Sequence, residues 1–213
     1  MRKPYFTIQA CKSDKKLEKF IESTRRDLSK FFMIELKWPC IFFVDSRKLY
    51  DELRQSKSKE WMVGGADNND IFIFDEKNME KYSPSHKGRF WGILRHEYAH
   101  AATFQFGSGI YPRWLHEGLA CYLADQTNFK PDLKIAFKIF NYRGKTDKYS
   151  YQVGYFWVKL LIDKYGKSKF LQLLKGVKKV DDLKNFKSLF YKIYRIKFER
   201  DTLKKIYQQQ TGR

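Results

Sequence analysis

The chain is poor in cysteine, and its cysteines form no pattern. Cys11, Cys40 and Cys121 are odd in number and far apart in 213 residues, which argues against a disulfide framework and against a thiolate zinc site. Long apolar runs are missing too. No stretch approaches the roughly eighteen apolar residues of a membrane span, and Lys159 interrupts the best one, 155–162. Met1-Arg2-Lys3 is basic, but no apolar run follows it, so no signal peptide is read and a cytoplasmic protein is the default expectation. There is no Cys-rich finger or glycine-rich phosphate loop to support nucleic-acid binding. No internal repeat, linker or low-complexity tract divides the chain, so one domain is expected over 1–213.

Acidic residues are scarce in the second half. The formal net charge is +19, and it is uneven: residues 1–126 carry 21 Lys+Arg against 17 Asp+Glu, residues 127–213 carry 22 against 7. Such asymmetry can mark a surface for nucleic acid or anionic membrane. The lysines alternate with apolar residues instead of forming a tail, so amphipathic helices with solvated lysine faces are the preferred reading over either partner. Aromatics are abundant, at 18% with 19 Phe and 14 Tyr, which favours a packed globular chain over disorder.

One stretch organises the rest. Arg95-His96-Glu97-Tyr98-Ala99-His100 reads H-E-x-x-H. On an α-helix, residues four apart share a face, so His96 and His100 can aim two imidazoles at one point, while Glu97, turned by about one hundred degrees, flanks it. Two neutral imidazoles for Zn²⁺ and a carboxylate beside them as general base are what a hydrolytic zinc site needs. The plainer alternative makes both residues core histidines, which leaves Glu97 without an obvious reason. A third ligand is available downstream in Pro112-Arg113-Trp114-Leu115-His116-Glu117-Gly118-Leu119-Ala120. Pro112 suits a helix start, and Glu117 would sit one turn in. Sixteen residues separate His100 from Glu117. They suffice for a helix end, a reversal at Gly107-Ser108-Gly109 and a new helix. Two His and one Glu leave a fourth tetrahedral position open, the mark of a catalytic rather than a structural site.

H-E-x-x-H followed by W-L-x-E-G-L-A resembles the gluzincin metallopeptidases, especially the peptidase MA-like group and the zinc aminopeptidases. The resemblance runs in order through about residues 60 to 175. It implies a thermolysin-like core, with Glu117 as third zinc ligand and Glu97 as base. Tyr151-Gln152-Val153-Gly154 is similar to the aminopeptidases' Y-x-x-G, which implies that Tyr151 donates to the tetrahedral oxyanion. Tyr155, one turn on, is the rival for that role. In gluzincins a sheet edge before the zinc helix pairs with extended substrate. By position Gly64, Gly65 and Ala66 are that segment here, or else a plain hairpin corner. One departure concerns the residue four after the third ligand, an Asp in some gluzincins and Cys121 here. Asp125 is the substitute on the same helix for orienting a zinc histidine. His116 projects elsewhere and is left off the ligand set.

Periodicity gives the remaining elements. A helix capped by Ser13 or Asp14 runs to about 35, a strand covers Ile41-Phe42-Phe43-Val44, and a short polar helix fills 46–57. Val63-Gly64-Gly65-Ala66 reads as a turn or bulge, and Ile71-Phe72-Ile73-Phe74 as a strand. Pro84 and Ser85 open the zinc helix, about 86–106. The second motif helix spans 112–124, and further helices are expected near 132–142, 149–165, 168–176 and 183–208. The fold class is α+β: a small sheet and zinc helix in about 1–106, packed on a helical lobe in about 107–213. The expected activity is a zinc metallopeptidase acting on a peptide or protein. An endopeptidase is preferred because no acidic group is evident to hold a substrate amine. The competing class is an inactive zinc-stabilised module whose basic half docks nucleic acid or anionic membrane.

Overall fold

Residues 14–108, 112–126, 130–140, 148–180 and 182–212 are described in the computed structural model of the chain. Asp14 caps the first helix, α1 (Lys15–Phe32), accepting from the backbone N–H groups of Lys16 and Leu17 at 2.9 and 3.2 Å. Ser13, the other candidate cap, lies outside the described residues. Ile21, Leu28 and Phe32 bury the apolar stripe of α1. Met33 takes a left-handed conformation and stops the helix short of 35.

Three strands follow: β1 (Cys40–Val44), β2 (Gly64–Asp67) and β3 (Asp70–Phe74), in the order β1-β3-β2. β1 pairs with β3 in parallel, and α2 (Arg47–Leu53) lies in their connection. β2 and β3 form an antiparallel hairpin whose turn uses Asn68 at φ 51°. Of the two readings of this segment, the turn at 63–66 is corrected and the sheet edge is what forms: Gly64, Gly65 and Ala66 lie in an edge strand, and the reversal comes after Asp67. Glycine is a poor strand former but permits another group to approach the backbone closely, and both glycines of β2 are approached. The helix expected over 46–57 shrinks to α2.

α3 (Glu76–Tyr82), capped by Asp75, follows the sheet. It was not foreseen, since seven residues with Met79 alone buried show no helical period. Pro84–His86 form a 3₁₀ turn of their own, so the motif helix α4 begins later than expected and spans Phe90–Gln105. Most of α4 is buried. Gly107 follows it at φ 85°, and Gly109 lies outside the described residues. α5 (Arg113–Ala124) has Pro112 as its N-cap rather than its first helical residue.

The helical remainder comprises α6 (Leu133–Ala136) with a 3₁₀ turn Phe137–Phe140, α7 (Lys148–Tyr165), α8 (Lys167–Val177), α9 (Leu183–Tyr194) and α10 (Arg200–Thr211). One long helix over 183–208 is corrected to α9 and α10. Arg195 is left-handed at φ 59°. The break lets Phe198 turn inward, within 5.0 Å, ring to ring, of Phe140, Phe186 and Phe190. A single apolar cluster extends from Ile21 to Tyr207 and joins the sheet, α4, α5 and α7. The fold class is α+β, mostly helical with one small sheet. No helix among the described residues is long and apolar enough to cross a membrane.

The tightest contact in this core is between α5 and α7. A Cβ added at Gly118 would lie 2.2 Å from the carbonyl carbon of Gly154, and one added at Gly154 would lie 2.1 Å from the Trp114 oxygen. Two helix backbones touch there, and no side chain fits between them. Gly154→Ala is expected to destabilise the fold by about 2–3 kcal/mol, the scale of overpacking against an unyielding backbone. Gly92→Ala, also helical but with its nearest atom at 3.9 Å, should instead stabilise by roughly 0.5–1 kcal/mol. Urea midpoints of the two variants check the contrast.

Candidate metal centre

α4 contributes His96 and His100 one turn apart on its buried side. Their Nε2 atoms face each other at 3.0 Å. α5 crosses α4 so that Glu117 Oε2 stands 3.5 Å from His96 Nε2 and 3.3 Å from His100 Nε2. All three side chains are buried. Ligands about 2.0–2.2 Å from one tetrahedral centre stand about 3.3–3.6 Å apart. The observed triangle is near that size, and its two-nitrogen, one-oxygen donor set suits a divalent metal. A buried His96, His100 and Glu117 group that could hold a metal ion is thus a property of the chain.

Burial opposes charge on Glu117 and His96, and their partners overcome it. Burial alone would raise the Glu117 pKa, but His100 and His96 beside it hold the carboxyl well below its usual range. Burial likewise opposes charge on His96, yet Cys121 and Glu117 hold its pKa well above the ordinary imidazole value. The site therefore already favours a cation next to the Glu117 carboxylate. Arg113, one turn earlier on α5, brings Nη1 to 3.8 Å from the other oxygen, Oε1.

Glu97 lies beside the triangle rather than in it. Burial raises its pKa, against the pull of His96 and His100. Its carboxylate rests on β2: a Cβ at Gly64 would be 2.9 Å from both Glu97 Cγ and Oε1. Gly64 is thus the position whose missing side chain makes room for Glu97. The Tyr50 hydroxyl donates to the Gly64 carbonyl, and Arg54 Nη1 donates to the Tyr50 oxygen at 3.0 Å. Burial pushes the Tyr50 phenol up to about 12 despite Arg54. Gly65 faces Arg54 and Tyr50, and Ala66 sits in the ladder opposite Ile71.

Tyr151, in the first turn of α7, holds its ring 6.0 Å from that of His96, tilted by 41°. Burial raises its pKa far above the ordinary phenol value, and Glu117 and Glu97 add to the effect. Its hydroxyl is therefore a proton donor rather than an anion. Tyr155 goes elsewhere: its ring neighbours Tyr122 at 6.4 Å, and its charged neighbours are Lys159, Asp125 and Asp163.

Two residues outside the ligand set contact the ligands directly. His116 stacks on His100 with ring centroids 4.2 Å apart at 14°. Burial and the neighbouring His100 drive its pKa well below the ordinary value, and neither of its ring nitrogens has a hydrogen-bond partner among the described residues. It stays off the ligand set. Cys121 stands where an Asp was sought. Its Sγ is 3.9 Å from His96 Nδ1 and 3.9 Å from Gln126 Oε1, and Gln126 Nε2 donates to the Gly92 carbonyl at 2.9 Å. Were Nε2 to hold a metal, Nδ1 would carry the proton and could donate to the sulfur. Asp125 is corrected: it is an exposed left-handed C-cap of α5, and Cys121 is the residue of that helix found beside His96 Nδ1. A fixed offset on one helix cannot foresee that Gln126, beyond the helix end, folds back onto α4.

Comparison with family models, with curated proteins and with solved structures found no match to this chain. The geometry alone carries two expectations. One divalent metal should bind per chain, with binding lost in His96→Ala and in Glu117→Ala. Cys121→Ala should weaken affinity about 10–100-fold, the usual cost of removing the group that orients a metal-bound His, and Cys121→Asp should recover it. Competition with a chromophoric chelator measures all four. Saturating metal at 100 times its dissociation constant should add about 2.7 kcal/mol to the unfolding free energy, read as a rise in thermal midpoint that His96→Ala abolishes.

Proposed function

We propose that this chain is a zinc metallopeptidase of the gluzincin kind, with a thermolysin-like core, that hydrolyses peptide bonds within a peptide or protein. The observation that carries the reading is the position of Glu97, a buried carboxylate wedged between a His-His-Glu triangle and an edge strand. A structural metal site has no use for that fourth, non-ligating carboxylate. His96, His100 and Glu117 would hold zinc and leave one tetrahedral position open. When bound, zinc would polarise a carbonyl oxygen and lower the pKa of water.

The chain's own residues supply the rest. Among the described residues β2 is an edge of the sheet; the Tyr50 hydroxyl occupies the Gly64 carbonyl, so an extended peptide would pair with the other edge groups of β2 and lie next to Glu97. Glu97 takes the proton from the attacking water and later passes it to the leaving amine. Tyr151 donates its phenolic hydrogen to the carbonyl oxygen as it gains charge. The burial of Glu97 strengthens its interactions. The sequence offers no clear acidic pair for a substrate amine, which is why we take the endopeptidase side.

Glu97→Gln should keep metal and fold but lower turnover at least about a hundredfold, the scale of general-base loss. Tyr151→Phe should lower kcat on the order of ten- to a thousandfold with KM and metal content little changed, and Tyr155→Phe should be much milder. Steady-state kinetics of the zinc-loaded protein on a peptide substrate decide both. A protein that binds zinc and cleaves no member of a diverse peptide library would be the inactive zinc-stabilised module instead.

A further inference from the structure

Trp61 is an exposed aromatic that touches the site. It sits on the turn leading into β2, 42% exposed, with its ring edge-on to Tyr151 at 6.2 Å and 88°. Tyr151 in turn lies against His96. The chain from metal cluster to solvent on this side thus runs His96, Tyr151, Trp61.

The turn that presents Trp61 is held firmly. Arg47, at the start of α2, donates to the carbonyls of Met62, Glu60 and Lys59 and to the Ser58 hydroxyl, the latter three at 2.8, 3.5 and 3.1 Å. Its guanidinium lies over the buried Phe74 ring at 4.8 Å. Asp51 holds the other end, accepting from the Ser58 N–H at 2.9 Å and from its hydroxyl. A turn anchored by so many bonds could have folded its tryptophan inward, and this one leaves it out. A large aromatic on a rigid support offers contact area at little entropic cost, as binding surfaces do.

We propose that Trp61 is the wall of a substrate subsite that takes a bulky apolar or aromatic side chain next to the scissile bond. This rests on the peptidase reading above. A peptide paired with β2 runs past Trp61 as it approaches Tyr151, so a side chain on that side meets the exposed ring. The same ring could attract a cation, but the surroundings oppose one. Lys59 Nζ already lies 5.9 Å from the Trp61 ring. A Lys or Arg side chain would have to share the ring with that ammonium, and an apolar one carries no charge to be repelled.

The test is cleavage-site mapping on a mixed peptide library with the zinc-loaded protein, its Trp61→Ala and Trp61→Phe variants, and Trp38→Ala as a control at another exposed tryptophan. The parent should favour Phe, Tyr, Trp, Leu or Met over Ala at one position flanking the cut, by about tenfold or more, as a hydrophobic pocket does. Trp61→Ala should reduce that ratio of kcat/KM values by about tenfold, mainly through KM, Trp61→Phe should retain most of it, and Trp38→Ala should leave it unchanged. A parent that cleaves, with a positional profile unaltered by Trp61→Ala, overturns the subsite and leaves the peptidase reading standing. A preference for Lys or Arg at that position overturns it also. A zinc-loaded parent that cleaves nothing overturns both.

Discussion

Two backbones meet where Gly118 of α5 packs on Gly154 of α7, and the site is built on that contact. Gly118 follows Glu117 directly, and Gly154 lies one helical turn after Tyr151. Any side chain at either glycine would push α7 away from α5 by more than an ångström, and Tyr151 would leave the His96 ring with it. The glycines of E-G and of Y-x-x-G therefore have one shared cause. They are the two halves of a single close crossing, and that crossing sets the distance between a ligand helix and the helix that brings the phenol.

The polar cluster is an expense that the surrounding core supports. Two imidazoles and two carboxylates are withdrawn from water, and buried ionisable groups destabilise a fold unless they are paired. The two Nε2 atoms face each other at 3.0 Å, and a cation between them would give both nitrogens a partner. The apolar cluster from Ile21 to Tyr207 encloses this arrangement, so α4 can carry His96, Glu97 and His100 on a buried face at all. Such a site gains more from a divalent ion than an exposed one would, because the ion satisfies groups that water cannot reach.

The parts of the site that follow from periodicity were legible in the sequence. H-E-x-x-H fixes two imidazoles on one helix face by geometry alone, and the second motif puts Glu117 one turn into a helix that has only to pack beside it. What depends on long-range packing was not. Gly64 and Gly65 carry a turn signal locally, and only the approach of Glu97 and of the Tyr50–Arg54 pair explains why they form a strand. The sequence offered Tyr151 and Tyr155 as rivals, since they share a helix face. The structure separates them by what each ring meets, His96 for one and Tyr122 for the other. Asp125 was sought by offset on α5, where charge type suggested a partner. Its left-handed backbone turns it to solvent and leaves Cys121 and Gln126 beside His96. The break at Arg195 was hidden because lysines and apolar residues alternate evenly across it.

The two flanks of the cluster are supported differently, and this bears on how substrate would be handled. On the sheet side, Arg54, Tyr50 and the Gly64 carbonyl form a hydrogen-bonded chain behind the edge strand, and Arg47 ties down the turn before it. That side is rigid through polar contacts to backbone, which suits a template for pairing. On the helical side, Tyr151 is held by the glycine crossing and by aromatic rings, with Trp61 reaching across from the sheet side to meet it. The Trp61–Tyr151 contact is thus where the sheet side touches α7. A side chain seated against Trp61 would press on Tyr151 as well. Recognition at that wall and proton donation at the carbonyl oxygen would then share one surface, so binding energy gained from a bulky residue could be used in part to fix the phenol.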